Sequence, residues 1–197
     1  MKPHSISLKK LKSTYGLHAR TILRDYLEEL PRKKGAVRSY KIVKKLPTVD
    51  EFNALRTKRF TTTVDDLVEA AFSEFEELAT ELSEWYDNLP EQLQESDKAY
   101  QLQEAKDALE NLTRPDLPDS VVNMEIFYMP AEGIKSRAAR RDDAVARLQA
   151  VVDELNDLLS DDKEDADFDK DDVEALASDL EAVINEAEGV EFPGMYG

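Results

Sequence analysis

From Thr63 onward, apolar and charged positions alternate with the period of a helix. Val64, Leu67, Val68, Ala71, Phe72, Phe75, Leu78, Ala79, Leu82, Trp85 and Tyr86 recur three and four residues apart, which gathers them on one face of a helix. The pattern predicts a long helix to about Asn88, capped by Thr63. Asp65 and Asp66 fall in its first turn, where the macrodipole favours carboxylates. Pro90 marks a turn. A second stripe, Ala99, Leu102, Ala105, Leu109 and Leu112, predicts a returning helix. With so short a connection, the two form an antiparallel hairpin.

The segment Arg114 to Pro118 interrupts this periodicity. Val121 to Met129, dense in β-branched, aromatic and Met residues, predicts a strand or a buried extended linker. Another long helix is expected over roughly 136–159, with Val145, Leu148, Val152, Leu155 and Leu159 on one side. The acidic run from Ser160 to Asp172 joins it to a last helix, whose core positions are Val173, Leu176, Leu180, Val183, Ile184 and Ala187. Gly189 ends that helix. The remaining residues, Val190 to Gly197, are apolar for a tail. They are expected to pack back on the core, to dock on another subunit, or to stay disordered.

The first sixty residues are less periodic. Thr14 to Leu30 fits a helix with Leu17, Ile22, Leu23, Tyr26, Leu27 and Leu30 as its apolar positions, ended by Pro31. Pro31 to Gly35 reads as a basic turn, and Val37 to Leu46 as a short strand or extended arm. Thr48 with Glu51 three residues later forms the pattern of a capping box before a short helix. The expected fold is mainly α: a helical hairpin and two further helices in a bundle, with one short strand element. Residues 1–60 are expected as a basic N-terminal arm, 61–190 as an acidic helical domain, and 191–197 as a tail.

Charge sharpens this division. Residues 1–60 carry 16 Lys/Arg against 5 Asp/Glu, a net of +11, while residues 61–197 carry 10 against 38, a net of −28. The total of −17 hides a strongly polarised chain. Such a field decides which partners approach and how fast, not how the chain folds. It favours contact with charged macromolecular surfaces over burial of a small substrate.

Several chemistries are poorly supplied. The absence of cysteine removes disulfides and thiolates. The only histidines, His4 and His18, lie in the basic segment, and His18 reads as a surface residue at a helix start, not a general base. No glycine-rich phosphate loop occurs, and no apolar run approaches the roughly 18–20 residues of a membrane span. A soluble protein of the cytoplasm of a host cell, or of a virion, is expected, with no membrane role and no cofactor.

Two acidic patterns suggest metals. A calcium loop begun at Asp165 places Asp167, Asp169 and Asp171 well. It then has Lys170 where glycine makes the turn and Leu176 where a bidentate Glu is required. The E-x-x-E step of Glu74 and Glu77, with Glu104 and Asp107 on the next helix, resembles the magnesium motif of all-α nucleoside-triphosphate pyrophosphohydrolases of the MazG type. That resemblance implies a metal held between helices. Both pairs sit well off the apolar stripes, however, so the periodicity aims them at solvent.

The cationic candidates are Arg32, Lys33, Lys34, Arg38, Lys41, Lys44 and Lys45, in a basic segment interleaved with Tyr15, Tyr26, Tyr40 and Phe60. Three readings stay open: neutralising phosphates of nucleic acid, neutralising the chain's own acidic helices, or docking to an acidic partner. A second group, Arg137, Arg140 and Arg141 with Arg147, opens the third long helix, where cations oppose the macrodipole. They fit either salt bridges to neighbouring helices or a site for an anionic partner.

The stretch Glu81 to Gln94 (ELSEWYDNLPEQLQ), with Ala105 to Leu112, resembles a segment of small acidic helical proteins encoded by bacteriophages and mobile elements. The resemblance implies a structural hairpin and no site residues. The expected function is that of a non-catalytic interaction protein. Its partner would be a protein, a nucleic-acid-handling machine, nucleic acid, or a second copy of the chain. Its roles would be as an assembly component or as a DNA-mimicking inhibitor. The alternative is a magnesium-dependent pyrophosphohydrolase.

Overall fold

A computed structural model describes residues 5–31, 38–133, 136–160 and 168–194. The chain divides into two compact units, Met1–Thr61 and Thr62–Gly197. The fold is mainly α with small antiparallel sheets.

The basic unit is not an arm. It contains β1 (Ser5–Ser7), α1 (Leu8–Tyr15), α2 (Ala19–Ile22), β2 (Leu27–Glu29), β3 (Ser39–Ile42) and α3 (Val49–Phe60). Strand β3 is central and pairs antiparallel with β1 (Ile6 opposite Tyr40) and with β2 (Glu28 opposite Lys41). Leu11, Ala19, Leu23, Tyr40 and Phe52 form a separate small core beneath it. The helix expected over Thr14–Leu30 is broken into pieces. Gly16 and His18 both adopt positive φ, 81° and 58°, which no right-handed helix can pass through. A Cβ at Gly16 would meet nothing within 4 Å, so the backbone angle and not lack of space calls for glycine there. Beyond one 3₁₀ turn at Arg24–Tyr26, the chain leaves as β2. His18 is buried against the Phe60 ring, centroids 5.0 Å apart, not on the surface as its position suggested.

The helix start at Thr48 follows expectation. The Glu51 amide donates to Thr48 Oγ1 at 3.3 Å, and the Thr48 amide donates to the Glu51 carboxylate at 2.7 Å. The hydrogen bonds from Thr48 hold the Glu51 carboxyl below its ordinary range.

The acidic unit is built on α4 (Val64–Asp87), α5 (Asp97–Glu110), α7 (Arg137–Ser160) and α8 (Lys170–Glu188). Helix α4 packs on α5 as the predicted hairpin and also on α7, while α7 packs on α8. Phe72, Phe75, Leu78, Leu82, Leu102 and Leu109 are buried, as the stripes required, and Trp85 packs partly buried at the edge. Thr63 Oγ1 accepts from the Asp66 amide at 3.1 Å, which caps α4.

The segment between the hairpin and α7 is mixed. A single helical turn, α6 (Asp119–Val122), starts behind Pro118 and precedes strand β5 (Glu125–Phe127). Strand β5 forms a two-stranded sheet with β4 (Thr61–Thr63), and the Val64 amide donates to the Met124 carbonyl at 3.0 Å. The first residues after α8 pack back: Val190 is buried and Phe192 lies against the core. Residues 195–197 lie outside the described residues. Among the described residues, no helix is long and apolar enough to cross a membrane.

Candidate interaction site

Two of the arginines that open α7, Arg137 and Arg140, face α4. On α4, Glu74, Glu77 and Glu81 lie three and four residues apart, so one side of the helix presents a ladder of carboxylates. On α7, Arg137 and Arg140 repeat at the matching step. Arg140 sits at the centre: its guanidinium donates to Glu74, to Glu81 and, at 3.1 Å, to Glu77. The Arg137 Nε donates to Glu81 at 3.0 Å, and its guanidinium carbon lies 5.0 Å from the Trp85 ring centre. The Lys98 ammonium lies 5.1 Å from the same ring.

Partial burial alone would push the Glu81 carboxyl up. The hydrogen bonds and charges of Arg140 and Arg137 outweigh it and hold this group below its ordinary range. For Arg140 the same contacts overcome desolvation and push its pKa upward.

Arg141 turns to the other side. It donates to the carbonyls of Glu188 at 3.0 Å and Val190 at 2.6 Å, satisfying acceptors at the C-terminal end of α8. Its guanidinium also approaches the Phe192 ring, at 5.9 Å. Arg147 donates to Asp143 at 2.6 Å and to the Ala70 carbonyl at 3.0 Å. Asp143 is almost completely buried, and it accepts further from the Tyr128 hydroxyl at 3.1 Å and the Ala131 amide at 3.3 Å. Thus Arg137, Arg140 and Arg141, candidates for an anionic partner, make their described contacts within their own unit.

The four candidate metal ligands are not gathered. Glu74 and Glu77 take Arg140, Asp107 meets Lys106 at 3.4 Å, and Glu104 lines a cleft between α5 and residues 189–194. Among the described residues, no three His, Asp or Glu side chains are grouped so as to hold a metal ion. Glu74 nevertheless does not point into solvent as its stripe angle implied; its side chain is only 20 % exposed. The reason is that α4 has helices on two flanks, and a residue off the α5 face lies on the α7 face. Of the calcium pattern begun at Asp165, Asp165 and Asp167 lie outside the described residues; Asp169 caps α8, accepting from the Asp171 amide at 3.0 Å, and Leu176 is buried in the core.

In the basic unit, Arg32, Lys33 and Lys34 likewise lie outside the described residues. Arg38 approaches Glu29 at 3.7 Å, alongside Arg20 at 3.2 Å, and Lys41 meets Glu28 at 3.2 Å. The Lys44 ammonium lies 5.9 Å from the Tyr26 ring centre, and Lys45 lines an open groove with Lys58. Sequence reasoning missed this groove, and it missed Asp143, whose only signal was the four-residue step to Arg147.

Comparison with known proteins gives no matching family model, no matching curated protein and no matching solved structure.

Replacing Arg140 with Met removes the shared cation from three carboxylates. Its side chain is about one-fifth exposed, so solvent screens part of the loss, and about 2 kcal/mol of destabilisation is expected at neutral pH. The pH response carries a sign. Because the Glu81 carboxyl is lowered in the folded protein, its contribution is present above the ordinary glutamate range and is lost as pH falls through the folded value. Thermal melts taken from pH 7 down to about pH 3 should therefore converge for the two proteins. A gap that persists in acid would assign the effect to packing by the Arg140 stem.

Proposed function

We propose that this is a non-catalytic interaction protein whose acidic helical unit offers a carboxylate surface to a cationic macromolecular partner, most simply a protein that handles nucleic acid. One observation carries the reading. Lys98, Lys106, Arg114, Arg137, Arg140, Arg141 and Arg147 each engage a carboxylate, a carbonyl or an aromatic ring of the same unit. The charge of these seven is thereby held against individual partners, while Lys170 at the start of α8 is exposed. Much of the carboxylate excess is left exposed, as at Glu174, Asp179, Glu181 and Glu186 on α8. A stable fold does not require so large an imbalance, and self-repulsion makes it a burden. The same imbalance gives fast, salt-sensitive association with basic surfaces. The role would be that of a phage-related assembly component or of a DNA-mimicking inhibitor.

The test is capture of partners from a native lysate on the immobilised full chain, with duplex DNA as competitor. Retention should fall as salt rises, and DNA should displace what is bound. Neutralising Glu174, Glu181 and Glu186 together to Gln should weaken retention about tenfold while barely moving the melt, because exposed charges contribute tenths of a kcal/mol. Retention indifferent to salt, DNA and the triple variant would sink the reading. Magnesium-dependent release of pyrophosphate from a nucleoside triphosphate, lost in Glu77→Gln, would replace it with the pyrophosphohydrolase alternative.

A further inference from the structure

The basic unit carries a groove that its core does not use. On α3, Glu51, Ala54, Leu55 and Lys58 share one face by their spacing, while Phe52 points into the core. Opposite this face lie Tyr26 and the segment Lys45-Leu46-Pro47, and together they enclose about 470 Å³ open to solvent. Its floor is apolar, formed by Leu46, Pro47, Ala54 and Leu55. Its polar groups are unequal. The Glu51 carboxylate accepts from the Thr48 amide and hydroxyl, at 2.7 and 3.0 Å, and so belongs to the helix cap. Glu51 stays charged and Lys45 helps to hold it so, but Lys58 on the same face, with Lys44 beside Tyr26, leaves the rim with an excess of cations.

We infer that this groove docks a short acidic segment of a partner protein, with leucine-like anchors on the apolar floor and carboxylates on the lysines. Charge complementarity selects the sign of the occupant, and the aliphatic floor selects its anchors. This is the arrangement by which an apolar face is read in a groove while charges at the rim set register and rate. Nucleic acid fits less well. Bases need an open aromatic face, and the Tyr26 ring already has the Lys44 ammonium near it. The groove lies in the basic unit and does not depend on the carboxylate-surface reading, so the chain would meet partners of opposite sign through its two units.

The probe is a fluorescent peptide of about a dozen residues in which leucines alternate with glutamates and aspartates, titrated with the full chain by anisotropy. The whole protein carries a net charge of −17, so a strongly acidic peptide is repelled overall and binds only where a local site receives it. Saturable binding is expected in the micromolar range, weakening with salt. Lys45→Glu with Lys58→Glu should weaken it about tenfold or more. Ala54→Trp, on an exposed position, should fill the groove and weaken binding by a similar factor without altering charge. Circular dichroism melts check that both variants stay folded.

A control peptide with serines for leucines should bind about tenfold more weakly. Equal binding of that control would show general electrostatics and overturn the groove assignment. So would peptide binding untouched by Ala54→Trp, or no binding at all. Tighter binding of a thymidine oligonucleotide, lost in the same variants, would reassign the groove to single-stranded nucleic acid.

Discussion

Phe52→Ala is expected to unfold the basic unit and leave the helical unit folded. Phe52 is fully buried, and its ring packs against Tyr15 with centroids 4.8 Å apart. Tyr15 is fixed in turn by a 2.7 Å hydrogen bond from its hydroxyl to the Pro47 carbonyl. Removing a buried phenylalanine costs about 3–5 kcal/mol. A unit of this size rarely holds more than about 3–5 kcal/mol of net stability. The five buried apolar side chains of its core, among the described residues, leave little to redistribute the loss. The measurement is made clean by composition: the single tryptophan, Trp85, belongs to the helical unit. Tryptophan fluorescence should therefore melt as in the parent protein, while amide protection in α1, β3 and α3 disappears. A shifted tryptophan melt would show that the two cores unfold as one.

That two separate cores exist was only half legible in the sequence. The helical unit could be read because its stripes are long, and each of α4, α5, α7 and α8 repeats the signal over several turns. Thr63 and Thr48 were legible as caps because a side-chain oxygen placed before a run of free amides has one obvious use. In the basic unit the elements are short, and local pattern competes with tertiary pairing. Leu27 continues a helical stripe with Leu23, yet it lies opposite Ile42 in a strand. The break at Gly16 and His18 involves two departures from helical φ with one residue between them, and only the glycine announced one. With α1 ended there, Leu11, Ala19 and Leu23 converge on Phe52 and Tyr40, which no periodicity over Thr14–Leu30 could have foretold.

The candidate site was less legible for a different reason. Helical stripe angles tell which way a side chain points relative to one neighbour, and α4 has two. Glu74 and Glu81 lie off the α5-facing stripe and therefore look exposed, but α7 covers that flank and supplies Arg137 and Arg140. The arginines were recognisable as a cluster out of place at a helix N-terminus. Their partners were not, because a ladder of carboxylates on an acidic helix looks the same whether it faces water or a guanidinium. The charge split itself was fully legible, since it needs no geometry, and it remains the feature from which function is argued.

Asp143→Ala is the change expected to damage the helical unit most. It leaves Arg147 without its 2.6 Å carboxylate, Tyr128 with only the backbone carbonyl of residue 143 at 3.3 Å in place of the 3.1 Å carboxylate, and the Ala131 amide without its partner at 3.3 Å. Removing one member of a buried, hydrogen-bonded pair costs about 3–5 kcal/mol, because the charge left behind keeps its desolvation penalty. Arg147 retains the Ala70 carbonyl, so the lower end of that range is expected. Asp143→Asn keeps the acceptor oxygen while losing the charge, and should fall between the parent and the alanine variant. An alkaline signature separates this network from simple packing. Burial, followed by the nearby Asp143 charge and its hydrogen bond, pushes the Tyr128 hydroxyl up to about 12 from an ordinary value near 10. A raised value in the folded state means that its contribution is intact below about pH 10 and is lost as pH rises towards 12. Both Asp143 variants remove the neighbouring charge, so Tyr128 should ionise earlier and the fall in stability across that window should shrink. Tyrosinate absorbance and denaturant melts between about pH 9 and 12 measure the two halves of this linkage. An Asp143→Asn protein that melts like the parent and titrates Tyr128 unchanged would show that the carboxylate charge plays no part in holding β5 to α7.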